Sequence, residues 1–207
     1  MQLGSCRSEC YMKDTIEYYD ENADMLFERY NSAQMAESYA LFTSYLKPGS
    51  SIVDLGCGSG RDMKYFSSLG YSVSGVDASS SLAALAREYS GCDVECTDFL
   101  SWNPECQYDA FWANASLLHL DERELLEFFR TKLRFLRPGG IFYCSLKKGI
   151  ETGVDEDGRF FQNYTDGLLR KILKEARELE VLEEREAKDG LGREIAWIQI
   201  AFSRKKL

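Results

Sequence analysis

The sequence predicts an α/β fold, in which an open, mostly parallel sheet of seven strands carries helices on both faces. After a helical first quarter, short β-branched or aromatic segments alternate with longer amphipathic segments, as in a parallel sheet with crossover helices. Near the C-terminus, two strand-like segments flank the turn Lys188–Gly192, which predicts an antiparallel hairpin. With 44% hydrophobic residues, the 207-residue chain has enough apolar material to cover one such sheet.

The first helical segments lie in the polar and aromatic stretch Asp14–Leu46. Its tyrosines and phenylalanines recur at helix-compatible intervals, and a break near residues 30–32 predicts two helices that end before Pro48-Gly49. We therefore divide the chain into an N-terminal helical lid or extension, residues 1–48, and a main domain, residues 49–207. Residues 1–10 are expected to be disordered.

Five strands are predicted to follow, each short and rich in apolar residues. They are Ser51–Leu55, Tyr71–Val76, Asp93–Cys96, Tyr108–Ala113 and Gly140–Leu146. The hairpin adds Val181–Ala187 and Glu194–Phe202, and alternate residues of its second strand point to opposite faces.

The helices of the main domain are predicted from capping residues, apolar stripes and stop signals. Ser79 or Ser80 and Thr165 are suitable N-caps, Gly70 closes the first of these helices, and the Arg-Pro-Gly-Gly segment 137–140 stops the third. Apolar residues at three- and four-residue spacing predict one core-facing stripe in each of the last two helices. The helices are residues 61–69, Ser79–Tyr89, Asp121–Leu136 and Thr165–Leu179.

The most informative segment is Asp54–Gly60, an Asp-Leu-Gly-Cys-Gly-Ser-Gly sequence placed where a predicted strand meets a helix. Glycines allow a sharp turn and let a ligand lie against the main chain. The dinucleotide pattern G-x-G-x-x-G is not matched, since Arg61 or Met63 occupies its last position, and the phosphate-loop lysine is absent. An acid before the glycines suits a ligand with ammonium and sulfonium groups, such as S-adenosylmethionine.

Four landmarks in order make the sequence resemble the class I, Rossmann-like S-adenosylmethionine-dependent methyltransferases, of the type that acts on small molecules. They are Asp54–Gly60, Gly75-Val76-Asp77, Thr97-Asp98-Phe99 and Leu136–Gly140. The resemblance covers Asp54 through about Leu146 and is loose in the flanks. It implies S-adenosylmethionine as the cofactor and in-line transfer of its methyl group to an acceptor.

The resemblance implies a role for each acid at the end of a strand. Asp54 would lie below the methionine portion of the cofactor, Asp77 would accept hydrogen bonds from both ribose hydroxyls, and Asp98 would receive the adenine amino group. Phe99 would pack near the adenine. Each acid has an alternative interpretation as a helix cap or a surface charge.

Other cofactor contacts are implied in the same way. Asn114 and Ala115 would hold the methionine amino group, Arg61 could reach the methionine carboxylate, and Cys57 and Ala78 would fill space beside the cofactor. An exposed arginine in the first turn of a helix is an equally good interpretation of Arg61. Close backbone contact would come from the glycines Gly56, Gly58 and Gly60.

The acceptor side is expected to combine the N-terminal helices with the loop 147–164. Tyr18, Tyr19 and Tyr30 would form a lid over the cofactor, although core packing explains these aromatic residues equally well. His119, the only histidine of the chain, is a candidate base or substrate contact, with a structural role as the alternative. A polar-aromatic group in the loop could meet an anionic acceptor or be solvated, and it consists of Lys147, Lys148, Arg159, Phe161 and Tyr164.

Composition limits the partners. The formal net charge of −9 disfavours nucleic acid, because an acidic surface repels phosphates. Apolar runs fall far short of the ~20 residues that cross a bilayer. Seven cysteines without a matching second pair predict no metal site. We expect a cytoplasmic enzyme that acts on a small molecule without a membrane partner.

Three rival functions remain open at this stage. A catalytically silent subunit could bind the cofactor for a partner, a tellurite-type enzyme could methylate a chalcogen or metalloid, and a macromolecular methyltransferase could act on protein or RNA. A nicotinamide-dependent oxidoreductase is disfavoured by the spacing of the glycines.

Overall fold

The computed structural model describes residues 5–206, with side chains from residue 11 onward. Its strands form a seven-stranded sheet and a separate two-stranded ribbon. In chain order the strands are β1 (Ser51–Leu55), β2 (Ser72–Asp77), β3 (Asp93–Cys96), β4 (Tyr108–Asn114), β5 (Leu136–Lys148), β6 (Gly153–Val154), β7 (Phe160–Phe161), β8 (Leu179–Ala187) and β9 (Ala196–Arg204). The helices are α1 (Ser5–Glu21), α2 (Ala23–Asn31), α3 (Ala36–Thr43), α4 (Arg61–Ser68), α5 (Ser80–Ser90), α6 (Glu122–Lys132) and α7 (Asp166–Glu175).

The strand order in the main sheet is β3-β2-β1-β4-β5-β9-β8. Strands β1 to β5 are parallel, while β9 is antiparallel to both β5 and β8. The predicted fold is therefore confirmed, including the C-terminal hairpin. The chain leaves β3 at one edge and returns beside β1 as β4, so that β1 and β4 border the switch point where ligands bind in open α/β sheets.

Helices cover both faces of the sheet, so consecutive residues of the central strands are buried on alternate faces. Val53 and Phe111 belong to a cluster with the apolar stripes of α6 and α7. Their neighbours Ile52 and Trp112 belong to a second cluster on the other face, together with Tyr39 and other residues of α3. The two-residue period of the strands thus builds one core on each face.

Several boundaries differ from the predicted ones. The first quarter contains three helices rather than two, because a second break occurs at Asn22, and α1 already begins at Ser5 within the segment expected to be disordered. Residues 1–4 lie outside the described residues. Helix α6 ends at Lys132, and the segment 137–140 forms a bulge in β5, since Tyr108 pairs with Leu136 and Ala110 already pairs with Ile141.

The predicted N-caps are confirmed. The Ser79 side chain accepts a hydrogen bond from the Leu82 amide, and the Thr165 side chain accepts one from the Leu168 amide. The ribbon of β6 and β7 was not predicted from the sequence. It brings the loop after β5 back towards α1, where the Phe160 amide donates to Thr15 Oγ1 at 3.1 Å. No helix within residues 5–206 has the length and apolarity that a membrane span requires.

Candidate active site

The glycine-rich turn between β1 and α4 is attached to the end of the neighbouring strand β2. The amides of Gly56 and Cys57 both donate to the Val76 carbonyl, at 2.7 and 3.0 Å. Gly60 has φ +75°, and a Cβ at this position would lie 2.8 Å from the carbonyl oxygen of Ala86 in α5. Glycine is therefore needed at residue 60 both for the left-handed backbone and for close packing of two helices.

Asp77, the last residue of β2, is held by the same turn. Its Oδ2 accepts from the Gly58 amide at 2.8 Å, and its Oδ1 accepts from the Ser79 amide at 2.9 Å. Burial raises the pKa of the Asp77 carboxyl to about 6, although these two hydrogen bonds act in the opposite direction. Asp77 lines a cavity at the carboxyl ends of β1, β2 and β4. Its oxygens can accept further hydrogen bonds from a ligand there.

Asp98 and Phe99 line the same cavity beyond Asp77. Asp98 Oδ1 accepts from the amides of Leu100 and Ser101, at 2.8 and 2.9 Å. These bonds are local and resemble a helix cap, which was the alternative interpretation of this acid. No hydrogen bond from another described residue reaches Asp98 Oδ2, so the second oxygen is available to a ligand.

The segment after β4 has a strained backbone. Ala115 has φ +56°, a left-handed conformation that no other non-glycine residue in the described part of the chain adopts. Ser145 fixes this conformation from β5, since its Oγ accepts from the Ala115 amide at 2.8 Å and donates to Asn114 Oδ1 at 2.7 Å. The Oγ of Ser116 is buried without a hydrogen-bond partner among the described residues. Such strain and unsatisfied groups concentrate at binding sites.

A charged network lies beside the glycine turn. Asp62 accepts from Arg61 Nε at 2.6 Å, from the Tyr39 hydroxyl at 2.6 Å and from Trp112 Nε1 at 2.8 Å. Burial raises the pKa of the Asp62 carboxyl, but the Arg61 charge and these hydrogen bonds outweigh it and hold that pKa below its ordinary value. Asp62 therefore stays ionised and orients Arg61 in the wall of the cavity.

Asp54 lies beneath this network, in β1. Its side chain is buried, with 2% of the residue exposed, and its Oδ2 has no hydrogen-bond partner among the described residues. Burial, together with the nearby Asp62 charge, raises the pKa of the Asp54 carboxyl well above its ordinary value. Asp54 and Gly60 do not line the cavity, so both support the turn from below.

The far end of the cavity contains Tyr19 from α1 and His119 from the turn after β4. The Tyr19 hydroxyl lies 2.8 Å from His119 Nε2, while His119 Nδ1 lies 2.7 Å from the Phe160 carbonyl oxygen. Burial lowers the pKa of His119 to about 4, so the imidazole is neutral at neutral pH. A neutral, oriented imidazole can accept a proton from a neighbouring group.

Two cations complete this end of the cavity. Arg159 Nη2 pairs with Asp155 Oδ2 at 2.7 Å and with Asp157 Oδ2 at 2.8 Å. Lys147, near the end of β5, lines the cavity with its Nζ 3.7 Å from the centroid of the Phe161 ring. Burial and the charges of nearby arginines lower the pKa of Lys147 to about 8.

Most of the predicted cofactor residues come together around this one cavity. Those that line it are Tyr19, Tyr30, Gly56, Cys57, Gly58, Arg61, Asp77, Ala78, Asp98, Phe99, Asn114 and Ala115. Of the predicted acceptor residues, some line the cavity and others do not. His119 and Arg159 line the cavity, but Tyr18 does not, since its ring stacks against the Arg159 guanidinium at 4.4 Å. Tyr164 is directed elsewhere, because its hydroxyl donates to Glu184 on the edge strand β8 at 2.7 Å.

The sequence did not single out Asp62, Ser116 or Asp189 as functional residues, although all three line the cavity. An acid in the first turn of a helix, such as Asp62, has the pattern of a residue that merely favours the helix dipole. Asp189 lies in the predicted hairpin turn, where aspartate is common. No local pattern distinguishes these residues from structural ones. In the described part of the chain, no group of three or more potential ligands could hold a metal ion.

Comparisons with known proteins agree with this geometry. Residues 52–140 match a family described as a methyltransferase domain. A segment of 104 residues is 32% identical to phosphoethanolamine N-methyltransferase 1 of Arabidopsis thaliana. The aligned segment covers 46% of this chain and 20% of that protein. The chain thus spans about one fifth of the length of that curated relative.

Solved structures extend the likeness to the whole fold. The 1,6-didemethyltoxoflavin-N1-methyltransferase of Burkholderia thailandensis, solved with 1,6-didemethyltoxoflavin and S-adenosylhomocysteine, superposes with a TM-score of 0.76 at 18% identity, over 100% of this chain and 92% of that chain. The CcbJ methyltransferase of Streptomyces caelestis gives a TM-score of 0.73 at 19% identity, over 91% and 98% of the two chains. The predicted resemblance to the class I, Rossmann-like S-adenosylmethionine-dependent methyltransferases is confirmed.

Proposed function

We propose that this chain transfers the methyl group of S-adenosylmethionine to a small-molecule acceptor. One observation carries the proposal: Asp77, fixed at the end of β2 by the amides of Gly58 and Ser79, opens onto the same cavity as His119. The part of the cavity near Asp77 suits a nucleoside. The part near His119 offers a neutral imidazole beside an open space. The comparisons support the same reaction class.

The residues present fit the cofactor in each of its parts. Asp77 accepts hydrogen bonds from the ribose hydroxyls, Asp98 Oδ2 accepts from the adenine amino group, and Phe99 packs against the adenine. The glycine turn allows the ligand to lie against the main chain, since Gly56 and Gly58 both line the cavity without side chains.

The methionine portion is expected between β4 and α4. The strained Asn114-Ala115 segment holds its amino group, and Arg61 pairs with its carboxylate. Arg61 Nη1 donates to the Tyr30 carbonyl at 2.8 Å, and Nη2 has no partner among the described residues. Asp54 supports this half from below, while Cys57 and Ala78 fill the remaining space. When bound, the cofactor supplies a methyl group that its sulfonium already activates.

The chain then has to orient a nucleophile and, where needed, remove a proton. Orientation alone contributes about 7–11 kcal/mol of barrier reduction in well-positioned cases. His119 is the candidate base and acts through Tyr19, because the phenol occupies Nε2. A proton leaving the acceptor passes to the Tyr19 oxygen while the phenol proton moves to His119 Nε2, so that the number of protons is conserved.

We propose that residues 1–48 act as a lid. Tyr19 and Tyr30 line the cavity from the N-terminal helices, and Asp20 at the end of α1 accepts from the Ser79 hydroxyl at 2.7 Å and from the Ser81 amide at 2.9 Å. The Gln34 amide donates to the Gly190 carbonyl of the terminal hairpin at 2.8 Å. We expect these bonds to hold the N-terminal segment over the site, an arrangement that favours a small-molecule acceptor over a macromolecular one.

The test has two steps. Calorimetry should detect binding of S-adenosylhomocysteine and no competing binding of a nicotinamide dinucleotide. A panel of small amines, hydroxy compounds and carboxylic or phosphoric acid derivatives is then screened for acceptor-dependent release of S-adenosylhomocysteine. Lack of cofactor binding would overturn the proposal, and binding with release only in the presence of protein or RNA would replace the small-molecule assignment. Binding without any turnover would favour the silent-subunit alternative.

A further inference from the structure

We infer that the cavity wall around Lys147 is an anion-binding subsite, which takes the phosphate or carboxylate group of the methyl acceptor. The inference rests on the proposed function, and it narrows the acceptor to an anionic small molecule. It depends on the position of one ammonium group that forms no ion pair with any described residue.

Lys147 lines the cavity and is half-buried, and its ammonium group has no hydrogen bond or ion pair with any described residue. Its only close contacts of a polar kind are with aromatic faces: Nζ lies 3.7 Å from the centroid of Phe161 and 5.9 Å from that of Trp197. Aromatic faces stabilise a cation but donate and accept no conventional hydrogen bonds. Three ammonium donors are therefore left for a ligand.

Two other lysines show how this chain treats an ammonium group elsewhere. Lys132 is buried, and its Nζ donates to the carbonyls of Leu100 and Trp102 at 2.6 and 2.7 Å. Lys148, the next residue along β5, is exposed and pairs with Glu186 at 2.5 Å. Other lysines without such a partner, such as Lys64 and Lys188, are exposed to solvent, whereas the Lys147 ammonium is unpaired although the residue is half-buried.

The two arginines near Lys147 are each paired with aspartates, so Lys147 is the cation here that lacks an ion-pair partner among the described residues. Arg159 uses Nη2 for its two aspartates and leaves Nη1 without a partner among the described residues, while Arg193 pairs with Asp189 at 2.6 Å. Burial and the charges of Arg193 and Arg159 lower the pKa of Lys147, against a weaker opposing effect of Asp155 and Asp189. An anion at this point would give the Lys147 ammonium the direct hydrogen-bond partner that it lacks. Because the whole chain carries a net charge of −9, this attraction is local.

The position of Lys147 assigns the anion to the acceptor. Ser145, which fixes the Asn114-Ala115 turn, precedes Lys147 by two residues on β5, so both side chains lie on the same face of the strand, about 7 Å apart along it. Lys147 therefore lies beyond the segment proposed to hold the methionine amino group. The Phe161 ring contacts both Lys147 and the His119 ring, whose centroid is 4.8 Å away.

The test measures the pKa of Lys147 directly. Protein with carbon-13 in the lysine ε-carbons is saturated with S-adenosylhomocysteine and titrated by NMR, with and without inorganic phosphate or acetate. The Lys147 signal is assigned by its loss in Lys147→Arg. We expect at least one of the two anions to bind saturably and to raise the Lys147 pKa by about one unit or more. The anion that binds more tightly identifies the phosphate or the carboxylate as the preferred group.

Matched variants control this measurement. Lys147→Met should weaken anion binding at least tenfold, whereas Lys148→Met, which removes the adjacent exposed lysine, should leave it unchanged. The inference is overturned if neither anion shifts the pKa, or if the cofactor product alone raises it and the anions add nothing. Failure of S-adenosylhomocysteine to bind would instead overturn the proposed function. The wild-type titration decides the question even if Lys147→Met does not fold.

Discussion

The Tyr19 hydroxyl donates a hydrogen bond to His119 Nε2 at 2.8 Å, although the two residues are 100 positions apart in the sequence. The direction follows from the other ring nitrogen. His119 Nδ1 lies 2.7 Å from the carbonyl oxygen of Phe160, which can only accept, so Nδ1 carries the proton of the neutral ring. Nε2 is then an acceptor, and the ring is fixed in one tautomer.

This tautomer can be observed, because His119 is the only histidine of the chain and needs no assignment. We expect nitrogen-15 NMR to show a protonated Nδ1 and no titration of the ring between about pH 6 and pH 8. Tyr19→Phe should shift the Nε2 signal, whereas Tyr18→Phe should not, since Tyr18 contacts Arg159. A ring that titrates near the ordinary value of about 6.5 would contradict this arrangement.

Asp77→Ala should weaken binding of S-adenosylhomocysteine by more than tenfold. The change removes hydrogen bonds to a charged group, each of which contributes about 1.5–3 kcal/mol. Calorimetry measures the affinity. Asp93→Ala, which removes an exposed carboxylate at the start of β3, is the matched control and should bind as the wild type does. An unchanged affinity in Asp77→Ala, with normal thermal unfolding, would disprove the ribose assignment.

Cofactor affinity should also depend on pH. Burial raises the pKa of Asp77 to about 6, so the protonated form increases as the pH falls through this value. If the carboxylate is the form that binds, the affinity for S-adenosylhomocysteine should be constant between about pH 7 and 8 and should fall about tenfold by pH 5. Calorimetry across this range measures the effect. Asp77→Asn should remove the pH dependence, and its persistence in that variant would assign it to another group.

Gly60→Ala should destabilise the fold more than Gly70→Ala. Both glycines have positive φ, +75° and +86°, so alanine costs about 1–2 kcal/mol at either position. Of these two glycines, Gly60 alone has a backbone neighbour, Ala86, within 3.0 Å of the added Cβ, which adds about 1–3 kcal/mol for overpacking. Urea denaturation gives the free energy of unfolding for each variant. Equal losses would show that α4 and α5 separate readily.

Asp62→Ala should lower the free energy of unfolding by about 3–5 kcal/mol, because it leaves the partly buried Arg61 charge without its carboxylate partner. It also leaves the donors of Tyr39 and Trp112 unpaired. The control Asp24→Ala removes an exposed acid from the first turn of α2 and should cost about 0.3–1 kcal/mol. A small loss in Asp62→Ala, measured by urea denaturation, would mean that water replaces the carboxylate.

Several boundaries could be predicted because their signals are local. The Ser79 and Thr165 caps and the glycine turn at residues 56–60 are each encoded within a few residues. Other features depend on packing between distant segments. The bulge at residues 137–140 has the sequence of a helix stop, and it becomes part of β5 only through pairing with β4.

The candidate site divides in the same way. The sequence placed Asp77, Asp98 and Asn114 after successive strands, and parallel strands necessarily bring such residues to one edge of the sheet. The sequence could not decide between a lid role and a core role for Tyr19, whose hydroxyl lies beside His119 in the structure. Nor could it predict whether the Tyr164 hydroxyl would face the cavity or bond to Glu184. Those outcomes depend on which side chains from remote segments come within hydrogen-bonding distance.

The sequence by itself determined the seven strands of the main sheet, the glycine turn and the resemblance on which the proposed reaction class rests, because periodicity and turn chemistry act over short spans of chain. Only the tertiary structure decided that His119 is neutral and hydrogen-bonded to Tyr19, and that no carboxylate in the described part of the chain forms an ion pair with Lys147. The charge state of a side chain depends on burial and on neighbours from every packed element, which no local pattern specifies.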